Sequence, residues 1–399
     1  MVPVTRRVLV TDGEQRAALA SVRSLGRAGF EVRVCSARNR SLAGASRYAR
    51  THTRVPDALD DPVGFRRAVE DLIGQSQIDV LLPVTEQSLR ALLPARLDQQ
   101  GVKVPFPAAD VFRRISDKAR LLEAAAALGL AVPEQRVLSR PGDRQALSRA
   151  SLRFPLVVKP SRSVSETDGG TVKLSVGYAA NWAELETQLA PLPLQAYPIL
   201  LQQRVVGPGI GVFLLVWNGE VLATFAHRRL REKPPSGGVS VYRESVPAEP
   251  ALVAKAGELL RHFGWQGLAM VEFKLDARTR TPFLMEVNAR LWGSLQLAID
   301  AGVDFPALLV RAALDEHPAP VTTYRTGIRS RWWWGDVDHL IARLRHSKAD
   351  LDLPPDAPNR WRAVGDFLTL WRPGDRNEIL RFDDPWPFVQ ETVDWLRRR

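Results

Sequence analysis

The stretch Phe283-Leu-Met-Glu286-Val-Asn288-Ala-Arg290 decides how this chain is read, together with Ala269-Met-Val-Glu272-Phe-Lys-Leu-Asp276 just upstream. Both segments predict short strands, over 270–275 and 283–287, joined by a polar connection that holds Asp276, Arg278 and Pro282. Side chains alternate between the faces of a strand, so Glu286 and Asn288 fall on one face with Arg290 just beyond. If the two strands pair as a hairpin, Glu272 joins them. Three oxygen-bearing side chains converging beside an arginine suit a hard cation such as Mg²⁺ carrying the phosphates of a nucleotide. Carboxylates buried without a cation are costly, so the cluster asks for a metal or an arginine partner.

Working outward, 399 residues suggest two or three domains at about 150 residues each. The apolar fraction of 45% and charged fraction of 25% are those of an ordinary globular chain. No apolar run reaches about 18 residues, which argues against a membrane span. Arg6 and Arg7 lead directly into a strand where a signal peptide would need an apolar core. The single cysteine, Cys35, cannot form an internal disulfide and reads as a core thiol, so a cytoplasmic location is expected. The net charge of +11 rests on arginine, since only eight of the 55 basic residues are lysines. The basic residues are scattered apart from the terminal Arg397-Arg398-Arg399, so a general attraction for anions follows but a nucleic-acid function does not.

The N-terminal region alternates strands and helices. Strands are expected at 7–11, 31–35, 78–83 and 102–105, with a helix over 14–29 ending at Gly29. That β-α-β order predicts a parallel sheet with right-handed crossovers. The first turn lacks G-x-G-x-x-G, and G-x-x-x-x-G-K-[ST] is absent from the chain, so neither an NAD enzyme nor a P-loop NTPase is supported. A new unit starts near Asp110. Ser116-Asp117 caps a helix over 118–128, and Phe154-Pro-Leu-Val-Val-Lys159-Pro160 is a strand ending in a lysine. The hydroxyl-rich loop 161–171 offers backbone N–H groups and hydroxyls to phosphate oxygens, and a strand over 172–176 follows. Further strands are expected at 199–206, 212–217 and 221–227, the last two forming a hairpin across Asn218-Gly219.

Taken in order, Asp117-Lys118, Val-Val-Lys159-Pro, the polar loop, Leu-Gln-Gln203-Arg204-Val205-Val206-Gly, Met-Val-Glu272-Phe and Met-Glu286-Val-Asn288-Ala-Arg290 resemble the ATP-grasp superfamily of the carboxylate–amine or –thiol ligase type, over roughly residues 5 to 315. The resemblance implies a mixed α/β and α+β fold. A Rossmann-like pre-ATP-grasp domain (1–110) would precede a lid lobe (111–200) and a metal-bearing lobe (201–324), with a small Trp/Arg-rich C-terminal appendage (325–399). Carried over residue by residue, Lys118 and Lys159 would contact nucleotide phosphates and adenine. The loop with Ser161, Ser163, Gly169 and Gly170 would close over the phosphates, and Gln203, Arg204 and Val205 would hold adenine. Glu272, Glu286 and Asn288 would coordinate Mg²⁺, with Mn²⁺ the alternative ion, and Arg290 would stabilise the transferring phosphoryl group or an acyl phosphate. Gln203 stands where the family often has a glutamate, and Met270 where the D-alanine ligase branch has an arginine.

The activity so implied is ligation of a small carboxylic acid to an amine, through an acyl phosphate, with release of ADP and phosphate. The segment 227–238 reads either as a clamp for the carboxylate substrate, with Arg229 and Lys233 as its contributors, or as a solvated basic loop. His227 reads as structural. Seven of the eleven tryptophans lie beyond residue 324; they would pack the appendage onto the body, grip a glycan, a membrane surface or nucleic acid, or form a homodimer contact. Two other classes stay open. One is an ATP-grasp carboxylase or kinase with a different acceptor; the other is a non-catalytic nucleotide or nucleic-acid binder.

Overall fold

The computed structural model describes residues 5–148, 152–162, 164–167, 170–235, 237–351, 353, 357–369 and 372–398, with backbone alone at 165–167 and 170–173. The chain opens with four parallel strands, β1 (Arg7–Val10), β2 (Glu31–Ser36), β3 (Ala49–Arg54) and β4 (Val80–Leu82), in the order β3-β2-β1-β4. Helices α1 (Arg16–Arg27) and α2 (Pro62–Ser76) make the crossovers β1 to β2 and β3 to β4, and α3 (Glu86–Leu92) follows β4. The alternation of Val8, Leu9 and Val10 explains the layering. Val8 and Val10 join the core shared with α1, whereas Leu9 faces Phe65, Val69 and Ile73 of α2. Both faces are therefore apolar, as a parallel sheet covered on two sides requires. Cys35 is buried beside Leu9, and burial pushes its thiol well up, so it is a core residue. Strand β3 (Ala-Arg-Thr-His-Thr-Arg) was not expected, because an exposed edge strand of polar residues carries no hydrophobic signal. The expected strand 102–105 is reduced to a single bridge between Lys103 and Val80.

Helices α4 (Ala109–Ser116) and α5 (Lys118–Ala127) lead into an antiparallel unit. It comprises β5 (Gln135–Leu138), β6 (Leu156–Pro160), the hairpin β7 (Val164–Thr167) and β8 (Gly170–Lys173), β9 (Gly177–Ala179), helix α6 (Trp182–Leu189) and β10 (Ile199–Gln203). The sheet order is β5-β10-β6-β9, with α6 laid over it on Leu185 and Leu189. The strand expected over 172–176 is instead β8. Strand β10 stops at Gln203, three residues short of expectation, because Gly207 takes φ +153° and turns the chain.

The third unit is a seven-stranded sheet. Strands β11 (Gly209–Trp217), β12 (Glu220–Lys233), β13 (Val239–Ser245), β14 (Gly267–Leu275) and β15 (Pro282–Asn288) run antiparallel, in the order β15-β14-β11-β12-β13. Asn218 (φ +50°) and Gly219 (φ +80°) close the β11–β12 hairpin with the left-handed pair such a turn demands. Strand β12 runs on through the basic residues to Lys233, so 227–233 is bulged strand rather than loop, and the turn to β13 begins only after it. Helix α7 (Pro250–His262) connects β13 to β14, and α8 (Leu295–Ala301) and α9 (Phe305–Ala313) follow β15. The C-terminal region extends the same sheet. Strand β16 (Arg329–Arg331) pairs with β13, and β17 (Asp375–Asn377) pairs in parallel with β16; α10 (Trp333–Arg345), α11 (Arg360–Leu368) and α12 (Trp386–Arg397) flank them. Its tryptophans pack inward: Trp334 stacks on Trp395 at 4.2 Å, and Trp332 lies under the Arg16 guanidinium at 3.9 Å. Trp361 and Trp386 stay exposed, and Trp371 lies outside the described residues. Among the described residues no helix is long and apolar enough to cross a membrane.

Candidate functional site

The site begins with the pairing of β14 and β15. Their register sets Glu272 opposite Glu286 and Met270 opposite Asn288, with a bulge after Glu272. The Asn288 amide donates to Glu286 Oε1 at 3.1 Å and to Glu272 Oε2 at 3.5 Å. Arg290 donates to Asn288 Oδ1 at 3.1 Å and to its neighbour's carbonyl, Leu291 O, at 2.9 Å. Two carboxylates, an amide and a guanidinium thus form one chain of hydrogen bonds along the sheet edge.

Cations from two other elements close on this edge. Asp117 caps α5 by accepting from Ala119 N (3.1 Å) and Arg120 N (3.3 Å), which fixes Lys118 at the first helical position. Lys118 Nζ lies 3.7 Å from Glu286 Oε2. Lys159, at the end of β6, donates to Met285 O at 3.3 Å. From β12, Arg229 reaches Glu272 Oε2 at 2.5 Å and Glu232 Oε1 at 2.8 Å. Gly209 leaves room for it: a Cβ there would stand 2.9 Å from Arg229 Cδ. Burial raises the Glu272 carboxyl despite Arg229 beside it. Burial acts the same way on Glu286, but Lys118 and Lys159 more than offset it and hold that carboxyl below its usual range. Lys159 is itself pulled down to about 8 by burial, against the pull of Glu286. A buried pocket of charges whose pKa values are driven apart is characteristic of functional sites.

The other residues predicted from sequence divide clearly. Ser161 is fully buried; its hydroxyl donates to Asp117 Oδ1 at 2.5 Å and its carbonyl accepts from Lys118 N at 2.9 Å, so it locks β6 to α5. Gly170 opens β8, opposite Thr167, while Ser163 and Gly169 lie outside the described residues. Gln203 is exposed at the end of β10, Arg204 stacks over Tyr178 at 5.1 Å, and Val205 is buried, all at the junction between the second and third units. Lys233 turns away from Glu272: its ammonium pairs with Asp338 and lies 5.6 Å over the Trp332 ring. His227 is buried against Phe213 at 4.7 Å, and burial keeps its imidazole neutral.

Three participants had escaped the sequence reading. Lys274 shares a strand face with Glu272, two residues on, and its ammonium is lowered by burial while Glu232 draws it up. Alternation along β14 was the signal that could have found it. Glu232 completes the Arg229 pair, hidden because the basic segment was not read as strand. Glu86, from the first turn of α3, lines the same cavity as Lys118, Glu286, Asn288 and Arg290, and no local pattern announces it.

The donor set fits a divalent cation in kind. Hard cations take carboxylate and amide oxygens, and four cationic side chains surround the two carboxylates to receive a polyphosphate. Coordination would require Asn288 to present its oxygen, which here accepts from Arg290, and Glu272 to share its oxygens with Arg229.

Comparison with known proteins bears on the fold that carries these residues. Residues 195–334 match the family described as ATP-grasp in the biosynthetic pathway with Ter operon, a span that holds β10 to β16, Arg229, both glutamates, Asn288 and Arg290. Among solved structures, an L-amino acid ligase from Bacillus licheniformis is 19% identical, over 78% of this chain and 74% of that one, with a TM-score of 0.60. Biotin carboxylase from Campylobacter jejuni is 14% identical over 81% and 74%, at 0.63. N5-carboxyaminoimidazole synthetase from Staphylococcus aureus, complexed with ADP, is 15% identical over 81% and 80%, at 0.61. A comparison with curated protein sequences found no match. The chain has the ATP-grasp fold, as its motif order implied.

Proposed function

We propose that the protein is an ATP-dependent carboxylate–amine ligase. The observation that carries the proposal is the meeting of Glu272, Glu286, Asn288 and Arg290 on one sheet edge with Lys118 and Lys159 from the facing unit. A carboxylate resists attack by an amine because its leaving group would be oxide. Attack of the carboxylate oxygen on the γ-phosphorus of ATP breaks the bond to ADP and gives an acyl phosphate. The amine then attacks the acyl carbon, phosphate leaves, and the nitrogen gives up a proton. Glu272, Glu286 and Asn288 would hold Mg²⁺, which supplies charge neutralisation between the phosphate oxygens. Lys118, Lys159 and Arg290 would stabilise the charge spread over the transferring phosphoryl group. Arg229, fixed by Glu232, would orient Glu272, and to grip the substrate carboxylate it would exchange one of these carboxylates for it.

The test is ADP release from MgATP with pooled amino acids and small carboxylic acids, alone and in pairs, with Glu286→Ala as control. Release that needs both an acid and an amine, and that falls at least about 10²-fold in the variant, is expected for a ligase. The structural likeness to a biotin carboxylase supports a second reading. It predicts release driven by bicarbonate alone.

A further inference from the structure

A second cavity, of about 120 Å³, opens at the carboxyl ends of β1 to β4 in the N-terminal unit. It is lined by Asp12 and Glu14 after β1, Ser36 at the end of β2, Asp57 after β3, Thr85 after β4 and Phe65 of α2. In open parallel sheets this edge is where ligands bind. The cavity adjoins the catalytic one: Thr85 and Gln87 line it, and Glu86 between them lines the cavity that holds Lys118, Glu286 and Arg290.

Its chemistry is acidic over an apolar floor. Asp12 is a fixed negative wall, held at φ +56° with Oδ2 accepting from Val84 N (3.2 Å) and Thr85 N (3.1 Å) and Oδ1 from Ser88 Oγ (2.6 Å). Asp57 stands exposed at the mouth. Glu14 is different: its Oε2 is buried and has no hydrogen-bond partner among the described residues. A carboxylate oxygen withdrawn from water and left unpaired is costly unless a ligand completes it. Burial first, and Asp12 second, raise the Glu14 carboxyl to about 7, with Asp57 adding to the rise and Arg38 opposing it. These acidic side chains share the cavity with the apolar Phe65, Leu59 and Ala58, a lining suited to an organic cation.

We propose that this cavity is a subsite for the ammonium group of a substrate, with Glu14 as its principal acceptor and Phe65 and Leu59 beneath the adjoining carbon atoms. The proposal rests on the ligase reading for its link to turnover, but ammonium binding can be measured without turnover. The probes are the primary amides of the common L-amino acids, which keep the ammonium and lose the carboxylate, and the N-acetyl amino acids, which do the reverse. Binding is read by saturation-transfer NMR with MgADP present, using wild type, Glu14→Gln and Asp57→Asn. MgADP affinity and melting temperature report whether each variant is folded.

At least one amide is expected to bind wild type and to bind Glu14→Gln about tenfold more weakly, with MgADP affinity unchanged. Asp57→Asn should have a smaller effect, and the N-acetyl acids none that depends on Glu14. Calorimetry in buffers of different ionisation enthalpy should show proton release as the amide binds at neutral pH, because the cation favours ionised Glu14. Equal amide binding by wild type and Glu14→Gln overturns the proposal, as does failure of every amide to bind folded wild type. Loss of acid- and amine-dependent ADP release without loss of amide binding would instead count against the ligase reading.

Discussion

Glu272 and Glu286 are equivalent in sequence terms, yet the structure separates them. Arg229 binds one, while Lys118 and Lys159 face the other, so the field around the pair runs from the basic strand β12 to the first helical turn of α5. Lys159 gives this field a pH dependence. Its ammonium is lowered from the ordinary lysine value to about 8 by burial, so the charged form is lost as pH rises through that value. If Lys159 holds a phosphate, MgATP binding is tightest below pH 8 and weakens between about pH 8 and the higher pKa that bound phosphate imposes. Displacement of a fluorescent nucleotide from pH 6.5 to 9.5 should show that decline in wild type and lose it in Lys159→Met. An identical decline in both would remove Lys159 from the phosphate site. The Glu272–Glu286–Asn288–Arg290 alignment was legible in the sequence because strand alternation alone puts three of the four on one edge. Arg229 was recognised only as one of two options within a basic segment. Lys233 stood beside it as the other contributor to a carboxylate clamp, but the bulges between Arg229 and Glu232 re-aim the strand and send Lys233 to Asp338.

Among elements, those with strong local signals were found where expected. The Asp117 cap, the Asn218-Gly219 turn and the apolar runs of β1 and β4 each carry their own chemistry. Strand β3, Arg-rich and on an edge, and the basic half of β12 carry none; they are strands because neighbours pair with them. The junction after β10 is the element whose geometry is least negotiable. Gly207 sits at φ +153°, and a Cβ there would stand 1.9 Å from the carbonyl oxygen of Leu275, a backbone atom that cannot swing aside. Gly207→Ala is therefore expected to cost more than about 2 kcal/mol in denaturant unfolding and to shift the junction that carries Arg204 and Val205. Gly219→Ala, strained only by its φ, should cost about 1 kcal/mol. Equal effects would mean that the close approach at 207 is not maintained in solution.

At the scale of the molecule, buried ion pairs tie the last residues of the chain to the first. Arg23 of α1 donates to Asp384 Oδ2 at 2.8 Å and to the carbonyls of Ile379 and Asp384, and Asp384 also accepts from Ser46 Oγ and Arg47 N. Arg16 of α1 and Arg243 of β13 share Glu378, which follows β17. Removing one partner strands a buried charge, so Asp384→Ala should lose about 3–5 kcal/mol in denaturant unfolding. None of this could be read from local sequence, since the partners stand between 135 and 362 residues apart. Glu391 of α12 adds a pH term. Burial raises its carboxyl to about 7 although Trp332 Nε1 donates to it at 2.6 Å. The folded state then holds a proton that the unfolded chain releases near 4.5, so this contribution is present at low pH and is lost as pH rises through 7. The stability difference between wild type and Glu391→Gln should shift in favour of the variant between pH 5 and 8, by up to about 1.4 kcal/mol per unit of pKa displacement.

In the proposed reaction ATP activates a carboxylate by phosphorylating it. That step is tested most directly by supplying carboxyl-¹⁸O-labelled amino acids with MgATP and an amine pool, then analysing the released phosphate by mass spectrometry. An acyl phosphate intermediate predicts one ¹⁸O atom carried from acid to phosphate for each ADP formed, and none with Glu286→Ala. ADP formed with unlabelled phosphate, or label recovered in AMP, would contradict it.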